Sequence, residues 1–237
     1  MPFNRLAVVL VSTRNPLNIG AAARAMSNFG FRDLRTVNPY ELAFREAKSA
    51  VGAADVLAKA KVCATISEAV ADCSLVAGTT AGRNRQLEHE LKSLPEAAPL
   101  IRRGLGSGRV AILFGSEKRG LSNEDLSYCH WLMRIPTVES TPAMNLGQAV
   151  ALCMYEIVRE KRQATASKRR ADPSAAELER LSSALIESLK VSGYFGKNAG
   201  ASAEEGIRRL VRRMGLSKED STTLLGMLRQ MLWKMRA

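Results

Sequence analysis

The stretch Val110-Ala111-Ile112-Leu113-Phe114, followed at once by Gly115-Ser116-Glu117-Lys118-Arg119-Gly120, decides the reading of this chain. A short apolar run bounded by glycine reads as a buried strand. A glycine-containing loop directly after a strand lets the backbone approach a ligand closely. A second apolar run, Leu132-Met133-Arg134-Ile135-Pro136, follows. A polar loop, Val138-Glu139-Ser140-Thr141-Pro142, then leads into a helix from about Asn145. Leu146, Ala149, Val150, Ala151, Leu152, Cys153, Met154, Ile157 and Val158 cover most of that helix. A helix apolar nearly all round is buried on more than one side. One face belongs on the sheet, and a partner subunit is the natural candidate for the other.

Upstream, residues 6–11 form a strand pattern, and Asn15-Pro16 marks a turn. Asn18 is a candidate N-cap for a helix running to about Phe29, with Gly30 as its stop. Ile19, Ala22, Ala23, Met26 and Phe29 share one face of that helix, and Arg24 falls on its flank. Residues 34–37 read as a second strand and 41–60 as helix with a break near Gly52. A short helix over 67–71 and a third strand over 74–78 come next. The small polar run Thr79-Thr80-Ala81-Gly82 leads to Arg83 and Arg85. Residues 87–103 read as helix, with Pro95 either breaking it or starting one of its pieces. Gly104-Leu105-Gly106-Ser107-Gly108 precedes its strand, whereas a phosphate-binding loop follows one, so it reads as a plain loop. Strands alternating with helices predict an α/β fold with a mostly parallel sheet. Ligands bind such sheets at the carboxyl ends of the strands. The loops at 79–82, 115–120 and 136–144 all lie there.

Residues 161–176 are basic and poor in large apolar side chains, and read as a linker between a domain over 1–160 and a helical extension over 177–237. Three leucine-rich stripes, punctuated by Gly193 and Gly215, give that extension three helices. The formal net charge is +12, unevenly spread. Residues up to Val158 hold 18 Lys/Arg against 14 Asp/Glu, and those from Arg159 onward 17 against 9. A basic balance suits a polyanion such as nucleic acid, or a solvated surface with no partner. Arg208, Arg209, Arg212 and Arg213 stand in pairs one turn apart. They read either as a phosphate-gripping row or as the solvent face of an amphipathic helix. No run of 18 apolar residues predicts a membrane span. Cys63, Cys73, Cys129 and Cys153 are scattered, and His89 and His130 stand apart, so no metal site is expected. Reduced cysteines point to a cytoplasmic protein.

Three segments together resemble the signatures of the SpoU/TrmH branch of the SPOUT RNA methyltransferases. They are residues 14–26, with Asn18-Ile19-Gly20-Ala21-Ala22-Ala23-Arg24, residues 113–124, and Asn145-Leu146-Gly147-Gln148-Ala149-Val150-Ala151. The resemblance implies a SPOUT-type sheet with a trefoil knot, in which the loops 115–120 and 136–144 thread together. It also implies a homodimer through the helix at 145–158 and S-adenosyl-L-methionine as cofactor. It places Thr79, Thr80, Ala81, Gly115, Ile135, Pro142, Ala143 and Met144 around that cofactor. It places Asn18, Arg24, Glu117 and Asn145 at the reaction centre, without a metal, because a sulfonium already activates its methyl group. A guanidinium stays protonated, with a pKa above about 12. Arg24 therefore reads as a phosphate clamp that steadies negative charge developing on oxygen. The branch commonly carries a serine two residues before the asparagine, where this chain has Ala143, with Ser140 and Thr141 the nearby hydroxyls.

Further features resemble the members of the branch that methylate the ribose 2′-oxygen of the pyrimidine at tRNA position 32. They are Val37-Asn38-Pro39, Gly52-Ala53-Ala54-Asp55, residues 73–79 and the basic helical tail. The resemblance thus implies tRNA as partner, with Arg14, Arg83, Arg85, Lys118, Arg119 and the four tail arginines as candidates to touch it. Methylation of ribosomal RNA or of another tRNA loop, and a non-catalytic RNA-binding dimer, stay open as alternatives.

Overall fold

The computed structural model describes residues 3–40, 53–81, 88–159, 171–195 and 201–236. Residues 41–52 of the expected helix over 41–60, Arg83, Arg85 and most of the linker lie outside them.

Seven strands form one sheet: β1 (Leu6–Val11), β2 (Asp33–Val37), β3 (Lys61–Cys63), β4 (Leu75–Thr79), β5 (Leu91–Ser93), β6 (Val110–Phe114) and β7 (Trp131–Arg134). Their order is β3-β2-β1-β6-β4-β7-β5, and every pairing is parallel. The central strands β1 and β6 are buried along their whole length. Strands covered on both faces read as continuous apolar runs, which is why the sequence shows them clearly. Alternate residues serve opposite sides. Leu6, Val8, Leu10, Val110, Ile112 and Phe114 join one core, and Ala7, Val9, Val11, Ala111 and Leu113 the other.

Helices α1 (Pro16–Asn28), α2 (Ala54–Ala58), α4 (Leu94–Ser107) and α6 (Leu146–Arg159) supply residues to the first core. Helices α3 (Ile66–Val70) and α5 (Asn123–Ser127) supply the second. The tail folds as α7 (Ala175–Val191), α8 (Ala201–Arg213) and α9 (Lys218–Arg236), around Leu178, Leu181 and Val211. Gly193 (φ 75°) and Gly215 (φ 60°) end α7 and α8, where a left-handed backbone favours glycine. The tail docks on the second face of the sheet: the Ala176 amide donates to the Ala71 carbonyl (3.2 Å), and Arg208 Nη1 to Ser127 Oγ (3.3 Å).

Several local expectations are corrected. Asn15, not Asn18, caps α1: its side chain accepts from the Leu17 amide (2.9 Å), and Pro16 follows with a φ already suited to a helix. Helix α4 starts at Leu94 rather than near 87, because Ser93 and Glu96 form a capping box. Pro95 falls in its first turn, where a missing N–H costs nothing. Gly104 lies inside α4 and not in a loop. A Cβ there would meet Val110 Cγ2 at 2.9 Å and Leu75 Cδ2 at 3.0 Å, so its bareness lets the helix lie close on the sheet.

Helices α1 and α6 cross closely at Gly147. A Cβ on that residue would stand 2.5 Å from Ala21 Cβ. Gly147→Ala is expected to lower unfolding free energy by about 1–3 kcal/mol through overpacking. A denaturant melt reads this directly, and an unchanged midpoint would mean that the crossing relaxes without cost. The all-round burial expected of α6 is also only partly met in one chain. Leu146, Val150, Cys153, Met154 and Ile157 are buried, while Leu152 and Tyr155 are exposed.

Candidate active site

Strands β6, β4 and β7 are neighbours, so their carboxyl ends bring three loops to one place. There lies a cavity of about 470 Å³. Thr79, Thr80 and Ala81 line it from the end of β4, Gly115 from β6, Ile135 from β7, and Pro142, Ala143 and Met144 from the approach to α6. All eight residues named for the cofactor therefore meet around one space. Phe114, Leu121, Met133, Leu146 and Ala149 also line it. In the sequence most of these read as strand or helix core, since an apolar residue at an element's end looks like any other.

The loop after β6 is pinched shut on itself. Ser116 and Gly120 pair, with the Gly120 amide donating to the Ser116 carbonyl (2.8 Å). A Cβ on Gly115 would stand 2.0 Å from the Gly120 carbonyl carbon, and Gly120 has φ 66°. Only glycine suits both positions.

Three distant segments are tied together beside the cavity. Asn145 Nδ2 donates to Asn18 Oδ1 (2.8 Å), and Asn18 Nδ2 donates to Glu117 Oε1 (3.0 Å). Glu117 also accepts from the backbone amides of Asn15 (3.3 Å) and Arg14 (3.4 Å). Because Asn15 does the capping, the Asn18 side chain is free to join this chain. Asn145 Oδ1 meanwhile caps α6, accepting from the Gly147 amide (2.9 Å). Burial alone would raise the Glu117 pKa. Hydrogen bonds from Asn18 and from backbone amides outweigh that and hold it below the ordinary carboxylate value.

Arg24 stands apart from this cluster. It is exposed and does not line the cavity of its own chain. It lies six residues beyond Asn18, roughly 9 Å along the helix axis at 1.5 Å per residue. With Leu17, Ala21 and Asn28 it forms an exposed stripe at helical spacing. Leu152 and Tyr155 of α6 are exposed too, with the Tyr155 ring 6.2 Å from that of Phe29 at the end of α1. Ser140 and Thr141 are exposed and outside the cavity lining, so neither hydroxyl stands in beside Ala143.

Of the cationic candidates, Lys118 and Arg119 sit on the cavity rim and Arg14 is exposed nearby. The tail arginines do not form an outward row. Arg212, 3% exposed, donates to Glu179 Oε2 (3.0 Å), and Arg208 donates to Glu179 Oε1 (3.2 Å). Both guanidiniums lie over the Tyr128 ring, at 5.3 and 4.9 Å from its centre. Arg209 is buried and paired with Glu88 and Glu205. The Glu179 pairs tie α8 to α7, while Tyr128, Ser127 and Glu88 hold α8 to the first domain; a buried charge needs a partner, and of the four Arg213 alone is exposed.

A second cavity, of about 600 Å³, lies where α8 and the turn after it meet β4 and α4. None of the three signature segments contributes to it. The four cysteines are free and buried, and no cluster among the described residues suits a metal ion.

Residues 5–155 match the model of the SpoU rRNA methylase family. The chain belongs to that family. Over 95% of its length this SpoU methylase is 34% identical to the tRNA (cytidine/uridine/adenosine-2′-O-)-methyltransferase TrmJ of Pseudomonas aeruginosa, covering 93% of that protein. It is 33% identical, over 95% of its length and 90% of the relative's, to the tRNA (cytidine/uridine-2′-O-)-methyltransferase TrmJ of Sodalis glossinidius. Among solved structures, TrmJ from Z. mobilis superposes with a TM-score of 0.80 at 32% identity, over 94% of this chain and 97% of that one. Tail and sheet of this SpoU methylase are thus both shared with TrmJ proteins.

Proposed function

We propose that this chain is an S-adenosylmethionine-dependent tRNA ribose 2′-O-methyltransferase acting on the pyrimidine at position 32 of the anticodon loop. The observation that carries this reading is the convergence of the three signature segments on one cavity, in a chain that matches TrmJ enzymes nearly end to end. In this reading the enzyme is a cytoplasmic homodimer, with a SPOUT domain over 1–160, a linker over 161–176 and a helical extension over 177–237. The loops 115–120 and 136–144 thread as a trefoil knot.

The residues present fit the cofactor. A cavity of about 470 Å³ is of small-molecule size. Leu121, Met133, Ile135 and Leu146 offer apolar walls for an adenine, and the Gly115 cradle exposes backbone where a side chain would block it. Thr79 Oγ1 donates to the Leu113 carbonyl (2.9 Å) and the Thr80 amide to the Met133 carbonyl (3.0 Å), which fixes one wall. When bound, S-adenosylmethionine supplies a methyl group already activated by its sulfonium. The chain's part is to hold the ribose hydroxyl in line, bind the adjacent phosphate and steady the charge that develops on oxygen.

The exposed apolar face shared by α1 and α6 is the surface for pairing two copies. Leu17 is 79% exposed at the start of α1, and Leu152 and Tyr155 are exposed on α6. Pairing through this face carries Arg24 of one chain toward the cavity of the other, which explains why its own cavity lacks it.

The test is transfer of labelled methyl from S-adenosylmethionine to isolated tRNA and to ribosomal RNA, with the product mapped. A 2′-O-methylated pyrimidine at position 32 is expected. Methyl appearing only in ribosomal RNA, or cofactor binding without transfer to any RNA, would overturn the reading.

A further inference from the structure

Arg208, Arg209 and Arg212 are engaged with carboxylates, which directs attention to the tail's other cations. From Ser221 to Arg236 the chain carries Arg229, Lys234 and Arg236 and no acidic residue. Among the described residues, Arg229 and Lys234 enter no ion pair, while Arg236 is held by Glu187 of α7. Trp233 sits among them and is 64% exposed. Such a large ring usually finds a packing partner. Arg229 precedes it by four residues and Arg236 follows it by three, so all three share one flank of α9. Met227 and Met231 lie on the other flank, and Leu232 turns inward.

We infer that this flank of α9 is a stacking platform for an unpaired base of the RNA substrate, with Arg229 binding the phosphate beside that base. The inference rests on the proposed action on tRNA. An indole face stacks on any base, and neighbouring cations neutralise the backbone that carries it. A membrane surface would need the ring and the methionines on one side, and here they are on opposite flanks. A protein partner would not call for a segment free of acidic residues.

Trp131 is 8% exposed, so acrylamide quenching reports almost entirely on Trp233, the other tryptophan of the chain. Adding tRNA is expected to shield Trp233 from acrylamide. Trp233→Ala is expected to weaken tRNA binding roughly tenfold, and Trp233→Phe much less. Arg229→Ala is expected to reduce the salt dependence of binding by about one phosphate contact. Cofactor affinity and melting temperature stay unchanged in all three. If an isolated anticodon stem-loop shows the same loss, the stacked base is in that loop; a loss confined to whole tRNA places it elsewhere on the molecule. Wild-type tRNA affinity in Trp233→Ala, or a changed oligomeric state in place of an affinity loss, overturns the platform. The two readings fail separately. A protein that binds tRNA and shields Trp233 but transfers no methyl defeats the activity alone, and one that methylates with unchanged tRNA affinity in Trp233→Ala defeats the platform alone.

Discussion

Arg24→Ala is expected to lower methyl transfer to tRNA by roughly 10²–10³-fold while cofactor affinity stays within about twofold, the usual cost of removing one preorganised donor to developing charge. The residue is exposed on α1, away from the cavity lining, so its loss leaves the cavity walls and the core intact. Arg24→Lys keeps the charge but loses the planar two-pronged donor that matches a phosphate. It should fall between wild type and alanine. Mixed dimers sharpen the test. Combining Arg24→Ala chains with Glu117→Ala chains leaves every cavity defective if Arg24 serves its own chain. If it serves the partner, one cavity of each mixed dimer regains both residues, and activity returns. Two separately inactive proteins that stay inactive after subunit exchange would sink the partner role. Wild-type turnover in Arg24→Ala would remove the residue from the reaction altogether.

Glu117→Ala should affect both turnover and stability. The carboxylate accepts from Asn18 Nδ2 and from two backbone amides, and Asn18 in turn receives Asn145 Nδ2. Removing it releases the loop before α1 and loosens the start of α6, both beside the cavity. A fall of at least about 10²-fold in kcat/KM is expected, since a displacement near 1 Å costs that much. The stability loss is expected at about 1–3 kcal/mol for charged hydrogen bonds that water partly replaces. The pH dependence carries a definite sign. The folded-state pKa is held below the ordinary 4.5. The carboxylate's stabilisation is therefore complete above about pH 4.5 and disappears as pH falls through the lower folded value. Thermal melts of wild type and Glu117→Gln should differ at pH 7 and converge in acid. A difference that is constant with pH, or that grows in acid, would refute the charged role.

How legible each feature was depended on how local its cause is. The runs at 6–11 and 110–114 declared themselves because strands buried on both faces tolerate little but apolar residues. The capping box Ser93-Leu94-Pro95-Glu96 stands in the sequence and settles between the two roles open to Pro95, since it is a first-turn residue. Gly104 read as loop because its reason for being glycine, the approach of Leu75 and Val110, comes from other strands. The tail arginines read as either a phosphate row or a solvent face because Glu179, the partner of Arg208 and Arg212, lies about 30 residues earlier on another helix.

The sequence by itself determined five of the seven strands but not the three-residue β3 and β5, together with the alternation of strand and helix, the three loops that meet at the cavity, and the three tail helices. Each follows from side-chain periodicity or from a short signature whose chemistry is local. The tertiary structure alone decided that Asn18 bridges Asn145 and Glu117 rather than capping its helix, that Arg24 lies away from its own cavity, and that three of four tail arginines turn inward. Those outcomes depend on which groups, 99 to 127 residues apart for Asn18, come within hydrogen-bonding reach once the sheet is assembled. A polar side chain takes the partner that folding brings to it, and no pattern along the chain encodes that distance.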